Sequence, residues 1–346
     1  MMWVMRGLAV GSLVLSFDTE QIWGSFDHTS AEAWIRRYPD ELGTIRDMIG
    51  ILDRHGVSAT WAVVGHLFLN ECHPGSNGEA HPELLHRPSQ SRWNHDWLDS
   101  DPRTNLDRDP LWYGTNILDA IQGARTPQEI GSHSFSHPIF DDPALSAEAA
   151  RAELDACVRL ASERGIQMRS FVFPRNREGH HHLLREAGFT AFRGSDPVWH
   201  ARLPGSVARG GHILDQAAGI GPPVSVPTER LPGLWNIPGS MMLMNGNGIR
   251  KVVTRRARVA KAVRGLRRAA STGRVFHLWT HPFNVAADRR ALLEDLDVIL
   301  SEASRLRAAG GLRIETMGEV ADRMASDARV PDQPLDPLPR SRRTSR

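Results

Sequence analysis

The sequence predicts an α/β fold with a parallel sheet, either open or closed into a barrel. Three observations predict it. Short apolar runs alternate with helical stretches about seven times along the chain, the pattern of βα units that build a parallel sheet. The first run, Leu13-Val14-Leu15-Ser16-Phe17, is nearly continuous rather than alternating, as a strand buried on both faces requires. Acids and histidines recur just past the runs, at Asp18/Glu20, His133/His137 and His281. Barrels and open parallel sheets carry their chemistry at those strand ends.

Each element follows from its local pattern. Residues 7–17 read as the buried first strand, and polar residues begin at once with Asp18. Residues 31–56 read as one helix, with Leu42, Ile45, Met48, Ile49 and Leu52 at core spacing and Gly56 as its stop. A strand over 58–65 and a helix from His66 come next. Residues 71–114 form a loop-rich insertion punctuated by Trp93, Trp97, Trp112 and Tyr113. So long a loop is a functional or disordered feature. Its aromatics suit either stacking on sugar rings or a satellite core.

Strands are expected over 129–134, 169–174 and 190–194, with a helix over 144–165. His180-His181-His182 opens a short helix rather than a metal tract. Residues 195–248 are turn-rich, with one strand over 234–238. A basic helix over 249–270, a strand over 274–280, a helix over 287–309, a strand over 312–316 and a closing helix over 318–324 complete a single domain, 1–327. The Pro- and Arg-rich tail, 328–346, reads as disordered.

The chain of 346 residues, 40% hydrophobic and 24% charged, has the composition of a globular protein with a core that needs no staples. Its two cysteines, Cys72 and Cys157, offer neither a disulfide framework nor metal-ligand spacing, which suits a reducing compartment. The formal net charge of +2 hides a basic stretch from Arg250 to Arg268 with no acid in it. That stretch suits a phosphate-bearing substrate, a peripheral membrane contact or simply a solvated face. No nucleic-acid reading motif accompanies it. No apolar run reaches transmembrane length. The apolar start lacks a small-residue cleavage site, and cleavage near Phe17 would remove the first strand. A cytoplasmic protein is expected.

The most informative stretch is His133-Ser134-Phe135-Ser136-His137-Pro138. Two histidines four apart, after an extended run and closed by proline, can aim both imidazoles at one point. They supply two of the three protein ligands of an open catalytic metal site, and the third is a carboxylate or another His. Asp18 and Glu20, two apart, share a face on a strand, so one can bind metal while the other acts as base.

With those residues in hand, the chain resembles the NodB-type polysaccharide deacetylases, carbohydrate esterase family four. Leu15-Ser16-Phe17-Asp18-Thr19-Glu20 resembles the family's first motif, in the branch whose two acids straddle one residue. His133-Ser134-Phe135-Ser136-His137 resembles the second, His-Ser/Thr-x-x-His. Phe171-Val172-Phe173-Pro174-Arg175-Asn176 resembles a diverged third motif, with Val172 where the family has Arg. Leu278-Trp279-Thr280-His281 resembles the fifth, and Arg193 and Asp196 are candidates for the fourth.

The resemblance implies a distorted (β/α)7-type barrel with a parallel sheet and a divalent metal, zinc above all, with cobalt, nickel or iron as alternatives. It implies Glu20, His133 and His137 as ligands, Asp18 as general base and His281 as general acid. Arg175 would orient Asp18 or lend its backbone N–H to the oxyanion. Trp23, Pro174, Asn176 and Leu278 are the expected substrate contacts, Leu278 flooring a pocket for the acyl methyl. The implied reaction removes an N-acetyl group from an amino sugar or glycan precursor. An amidohydrolase or deformylase of a small cytoplasmic amide on the same fold, and a carbohydrate-binding barrel without turnover, are the alternatives.

Overall fold

The computed structural model describes residues 10–73, 81, 84, 86–93, 96–196, 222–246 and 253–329. Its centre is a ten-stranded, mostly parallel sheet, curled into a half-barrel with helices around it. The strands are β1 (Gly11–Thr19), β2 (Thr60–Val63), β3 (Glu129–Ser132), β4 (Ser170–Val172), β5 (Ala191–Arg193), β6 (Thr228–Leu231), β7 (Leu234–Asn236), β8 (Met241–Met242), β9 (Val275–Thr280) and β10 (Leu312–Glu315). Their order is β6-β7-β5-β4-β3-β2-β1-β9-β8, with β10 also paired to β1. Only the edge pair β6–β7 is antiparallel. The α/β class and the barrel-type sheet agree with the sequence.

β1 is the hub. Its first half pairs with β10, its second half with β2, and its other edge with β9. All nine of its residues are buried, which explains the nearly unbroken apolar run. Alternation along the strand sends its side chains to two faces. Leu13, Leu15 and Phe17 join the large core under the helices. Val14 joins a smaller cluster with Ala62, Val172, Ala191 and Val275, one residue from each of five strands. The C-terminal helix, Met317–Arg329, closes that cluster with Met317 and Val320. Ser16 and Asp18 share the face of Val14, so the inner wall turns polar towards the carboxyl end of β1.

The 31–56 stretch is two helices, not one: α1 (Ala31–Arg37) and α2 (Glu41–His55). Pro39 cannot donate to a helical ladder and disfavours helical backbone at Tyr38. Asp40 then sits at φ 48 and caps α2 by accepting from the Gly43 amide at 3.0 Å. The expected helix from His66 is a single 3-10 turn, Gly65–Phe68. α3 (Thr115–Gln122) follows the insertion. α4 (Ala147–Glu163) is capped by Ser146, and α5 (His181–Glu186) is the short helix expected from the His run.

The basic helix is α6 (Arg255–Thr272), followed by α7 (Pro282–Ala286) and α8 (Arg289–Ala308). Part of its charge is paired with acids of α8. Arg255 and Arg258 both pair with the buried Asp295 of α8 at 2.5 Å, and Arg267 pairs with Glu302 at 2.8 Å. The closing helix, α9 (Met317–Arg329), runs into the stretch expected to be disordered. The rest of that tail, from residue 330, and residues 249–252 of the expected basic helix lie outside the described residues. Among the described residues no helix is long and apolar enough to cross a membrane.

Candidate active site

The predicted ligands converge. Glu20 lies one residue past β1, in a backbone already leaving the strand (φ −124, ψ −14). Its Oε2 sits 3.2 Å from His133 Nε2 and 2.9 Å from His137 Nε2. All three residues are buried. Gly24 is required beside them, because a Cβ there would overlap the Glu20 carboxylate.

The loop after β3 is bent to bring both histidines in. Ser134 and His137 adopt φ 62 and φ 64, a region unfavourable for residues other than glycine. Local bonds hold it there. The His137 amide donates to Ser134 Oγ at 3.1 Å, and Ser136 donates through its amide (2.8 Å) and hydroxyl (2.6 Å) to the buried carboxyl of Glu153 on α4. His133 Nδ1 lies 2.8 Å from the Val172 carbonyl, which fixes the proton on Nδ1 and leaves the Nε2 lone pair facing Glu20. His137 has neither ring nitrogen in a hydrogen bond of good geometry, although it is buried and 2.9 Å from the carboxylate. Two imidazole nitrogens and a carboxylate oxygen, buried together with an orphaned ring, are the donor set of an open divalent-metal site.

Burial opposes the charge on Glu20. The surrounding His137, His281 and His133 outweigh it and hold the carboxyl well below the usual range. The ring of His137 is pushed down by burial, against the pull of Glu20. Glu153 behaves oppositely. Burial without a cationic partner raises it to about 7 from 4.5, despite the Ser136 bonds. The folded state therefore holds that proton to higher pH than the unfolded chain. The stabilisation is full below pH 4.5 and is lost as pH rises through about 7. Glu153→Gln is expected to flatten the pH dependence of the urea midpoint across that window; an unchanged slope would refute the assignment.

Asp18 is held by Arg193, not by Arg175. Arg193 Nη1 and Nη2 each donate to Asp18 at 2.6 Å, a bidentate pair that is buried on both sides. Burial pushes the Asp18 carboxyl up, but Arg193 first and then His281 bring it below its ordinary value, so it stays ionised. Arg193 is fixed in turn. It donates to Ser16 Oγ and to Asn176 Oδ1, each at 3.0 Å, and its guanidinium lies 4.2 Å from the Trp279 ring centre. His277 Nε2 is 2.8 Å from Ser16 Oγ, and its Nδ1 is 3.1 Å from the Ile237 carbonyl. Burial pushes its pKa down to about 3, so it is a neutral strut.

His281 closes the constellation. Its Nε2 lies 3.7 Å from Asp18 Oδ2 and 3.6 Å from Glu20 Oε1. Nδ1 is 3.2 Å from the Asn284 amide nitrogen. That amide is a donor, so the neutral ring carries its proton on Nε2, towards the two acids. At 16% side-chain exposure, His281 is the most accessible of the five central groups.

The remaining expected contacts are placed less simply. The Arg175 guanidinium is engaged by Asp27, with Nη2 2.9 Å from both carboxylate oxygens, so the side-chain role expected of it belongs to Arg193. Arg175 itself sits at φ 54 in the turn after Pro174. Asn176 reaches the site by accepting from Arg193, and Pro174 is buried beneath that turn. Leu278 is buried in the core beside His277. Trp23 is wholly buried, donates to the Trp112 carbonyl at 3.2 Å and meets Trp112 edge-on at 5.2 Å, which leaves no ring face for a sugar. Trp112 and Tyr113 are buried too, so among the insertion's aromatics these two are satellite core.

No family model matches the chain, and no curated protein matches it either. Solved structures do. A protein of Mycobacterium smegmatis designated a candidate polysaccharide deacetylase has a TM-score of 0.60 at 16% identity, covering 97% of both chains. A second such candidate, from Pseudomonas aeruginosa PAO1, has a TM-score of 0.55 at 11% identity, covering 91% of this chain and 90% of its own. The Puue allantoinase has a TM-score of 0.54 at 10% identity, covering 91% of this chain and 89% of its own. The chain shares the fold of these proteins.

Proposed function

We propose that the chain is a metal-dependent hydrolase that removes an N-acetyl group from an amino sugar or glycan precursor. The observation that carries this reading is the convergence of Glu20, His133 and His137 beside an Asp18–Arg193 pair and His281 Nε2. Fold likeness to two candidate polysaccharide deacetylases supports it.

Glu20, His133 and His137 would hold the metal, zinc or another divalent ion. Such an ion polarises an acyl carbonyl and acidifies water. The protein's own groups do the rest. Asp18 takes the proton from the attacking water as general base, oriented by the two guanidinium bonds from Arg193. His281 faces the site through Nε2 and, as the imidazolium, delivers its Nε2 proton to the leaving nitrogen, ending as the neutral ring. The backbone N–H of Arg175, in the turn after Pro174, would donate to the oxyanion. The products are acetate and a free amine. The reaction is assigned to the cytoplasm, the compartment in which two unbridged cysteines fit.

The likeness to an allantoinase favours a second reading, hydrolysis of a small amide by the same residues. The test is release of acetate or formate, measured enzymatically, across N-acetylated amino sugars, their oligomers and small amides with zinc or cobalt supplied. Acetate released in step with free amine from a sugar supports the first reading. Turnover of small amides alone supports the second. Tight glycan binding with no release from any member would overturn both in favour of a binding barrel.

A further inference from the structure

A second set of ligand-bearing side chains converges away from Glu20, and the reaction above has no use for it. His66 lies in the 3-10 turn after β2. Cys72, His81 and Asp101 come from the segment that follows. One donor atom from each of the four falls within 4.8 Å of all the others, and every one of these residues is buried.

The polar atoms at the centre are unsatisfied. Asp101 Oδ2 is 3.4 Å from His66 Nε2 and 3.2 Å from His81 Nε2, and both histidine side chains and the carboxylate have no exposed surface. Even so, none of these three atoms makes a hydrogen bond of acceptable geometry. Buried polar atoms are almost always paired, so three orphans pointing at one another call for an ion. The separations between Asp101 and the two histidines fit one, and Cys72 Sγ lies 3.9 Å from His81, at its Nδ1. Ligands about 2.0–2.3 Å from a tetrahedral metal stand roughly 3.3–3.7 Å apart. His66 is set for ligation as well. Its Nδ1 lies 2.9 Å from the Trp112 carbonyl, which places the proton there and turns the Nε2 lone pair inward.

We infer that His66, Cys72, His81 and Asp101 form a second metal site, closed by four protein ligands and structural in role. Thiolate with imidazole and carboxylate selects zinc among the common divalent ions. Four protein ligands leave no open position for substrate. Sequence spacing does not reveal this set, because the fold brings the partners of Cys72 to it from residues 66, 81 and 101.

The site gives the 71–114 insertion an anchor. Its described residues contain little regular structure beyond a 3-10 turn, Trp97–Ser100. Metal ligation would tie that segment to the barrel rim at His66. Trp23, three residues past Glu20, stacks on His66 with ring centres 4.4 Å apart. The structural metal would thereby steady the turn that carries the catalytic ligand.

The test uses the full chain, purified without a His-tag and loaded with zinc chloride or, separately, cobalt chloride. Wild type is expected to hold two equivalents by elemental mass spectrometry. His133→Ala/His137→Ala is expected to lose one and keep the other. In the cobalt form, a near-ultraviolet thiolate-to-cobalt charge-transfer band should appear in both proteins and vanish in Cys72→Ser. If Cys72→Ser does not fold, the band and the retained equivalent in His133→Ala/His137→Ala decide alone. A cobalt-loaded wild type without the thiolate band, or a folded His133→Ala/His137→Ala without metal, overturns the inference and leaves the Glu20 site standing. Retention of one equivalent in wild type and in His133→Ala/His137→Ala alike, with the thiolate band, would support this site and remove the other.

Discussion

Replacing Arg193 with Met is expected to destabilise the protein by about 3–5 kcal/mol, the cost of leaving a buried charge without its partner. Arg193 and Asp18 are 1% and 3% exposed, so water cannot take the place of the lost guanidinium. The hydrogen bonds to Ser16 and Asn176 are lost with it. Urea unfolding measures the effect. Because the penalty comes from the stranded carboxylate, Asp18→Asn/Arg193→Met should recover part of it, and the non-additivity should exceed about 1 kcal/mol. Arg175→Ala touches only the partly exposed pair with Asp27 and should cost much less. Equal losses for Arg193→Met and Arg175→Ala would contradict the assignment of Asp18's partner.

Asp18→Asn is expected to lower kcat by about 10²- to 10⁴-fold, the usual worth of a positioned general base. The amide keeps the shape of the side chain and can still accept from Arg193, but it takes no proton from water. Its metal content should match wild type, because Asp18 is not among the atoms around His133 and His137. Some loss of stability will accompany it, since Arg193 loses its counter-charge, so rates must be normalised to folded protein. Near-full activity in Asp18→Asn would make another group the base. Gly24→Ala is a subtler probe, because its methyl must displace the Glu20 carboxylate without removing any ligand. Weaker metal retention than wild type, at equal fold content by circular dichroism, is the expected result.

The parts of the site that could be read from sequence are those fixed by local rules. Asp18 and Glu20 announce themselves by ending a buried strand, and His133 and His137 by their spacing before Pro138. His281 sits at the end of β9 for the same reason. Arg193 is visible only as a candidate for the fourth motif, with no sign of its role, because its partner lies 175 residues away and only the sheet order brings β5 to face β1. Arg175 looked the better candidate by its place beside Pro174. Its left-handed backbone starts a turn in which the side chain is captured by Asp27, a residue with no sequence signal. Trp23 is an expected substrate contact, and packing against His66 and Trp112 buries it instead.

The same contrast holds for the fold. Most of the buried parallel strands were legible within a residue or two, since such a strand needs an apolar run, but β1 starts at Gly11 rather than residue 7, and β6 and β8 fall in the stretch read as turns. The break between α1 and α2 was also written in the chain, at Pro39, but core spacing on either side masked it. The His66–Asp101 cluster had no periodic signal at all, because its ligands come from irregular backbone.

The most direct test of the central claim is divalent-metal content by elemental mass spectrometry, comparing untagged wild type with His133→Ala/His137→Ala. A Glu20–His133–His137 centre predicts one equivalent fewer in the variant, whatever the His66 cluster holds. Equal metal content in the two folded proteins would contradict it.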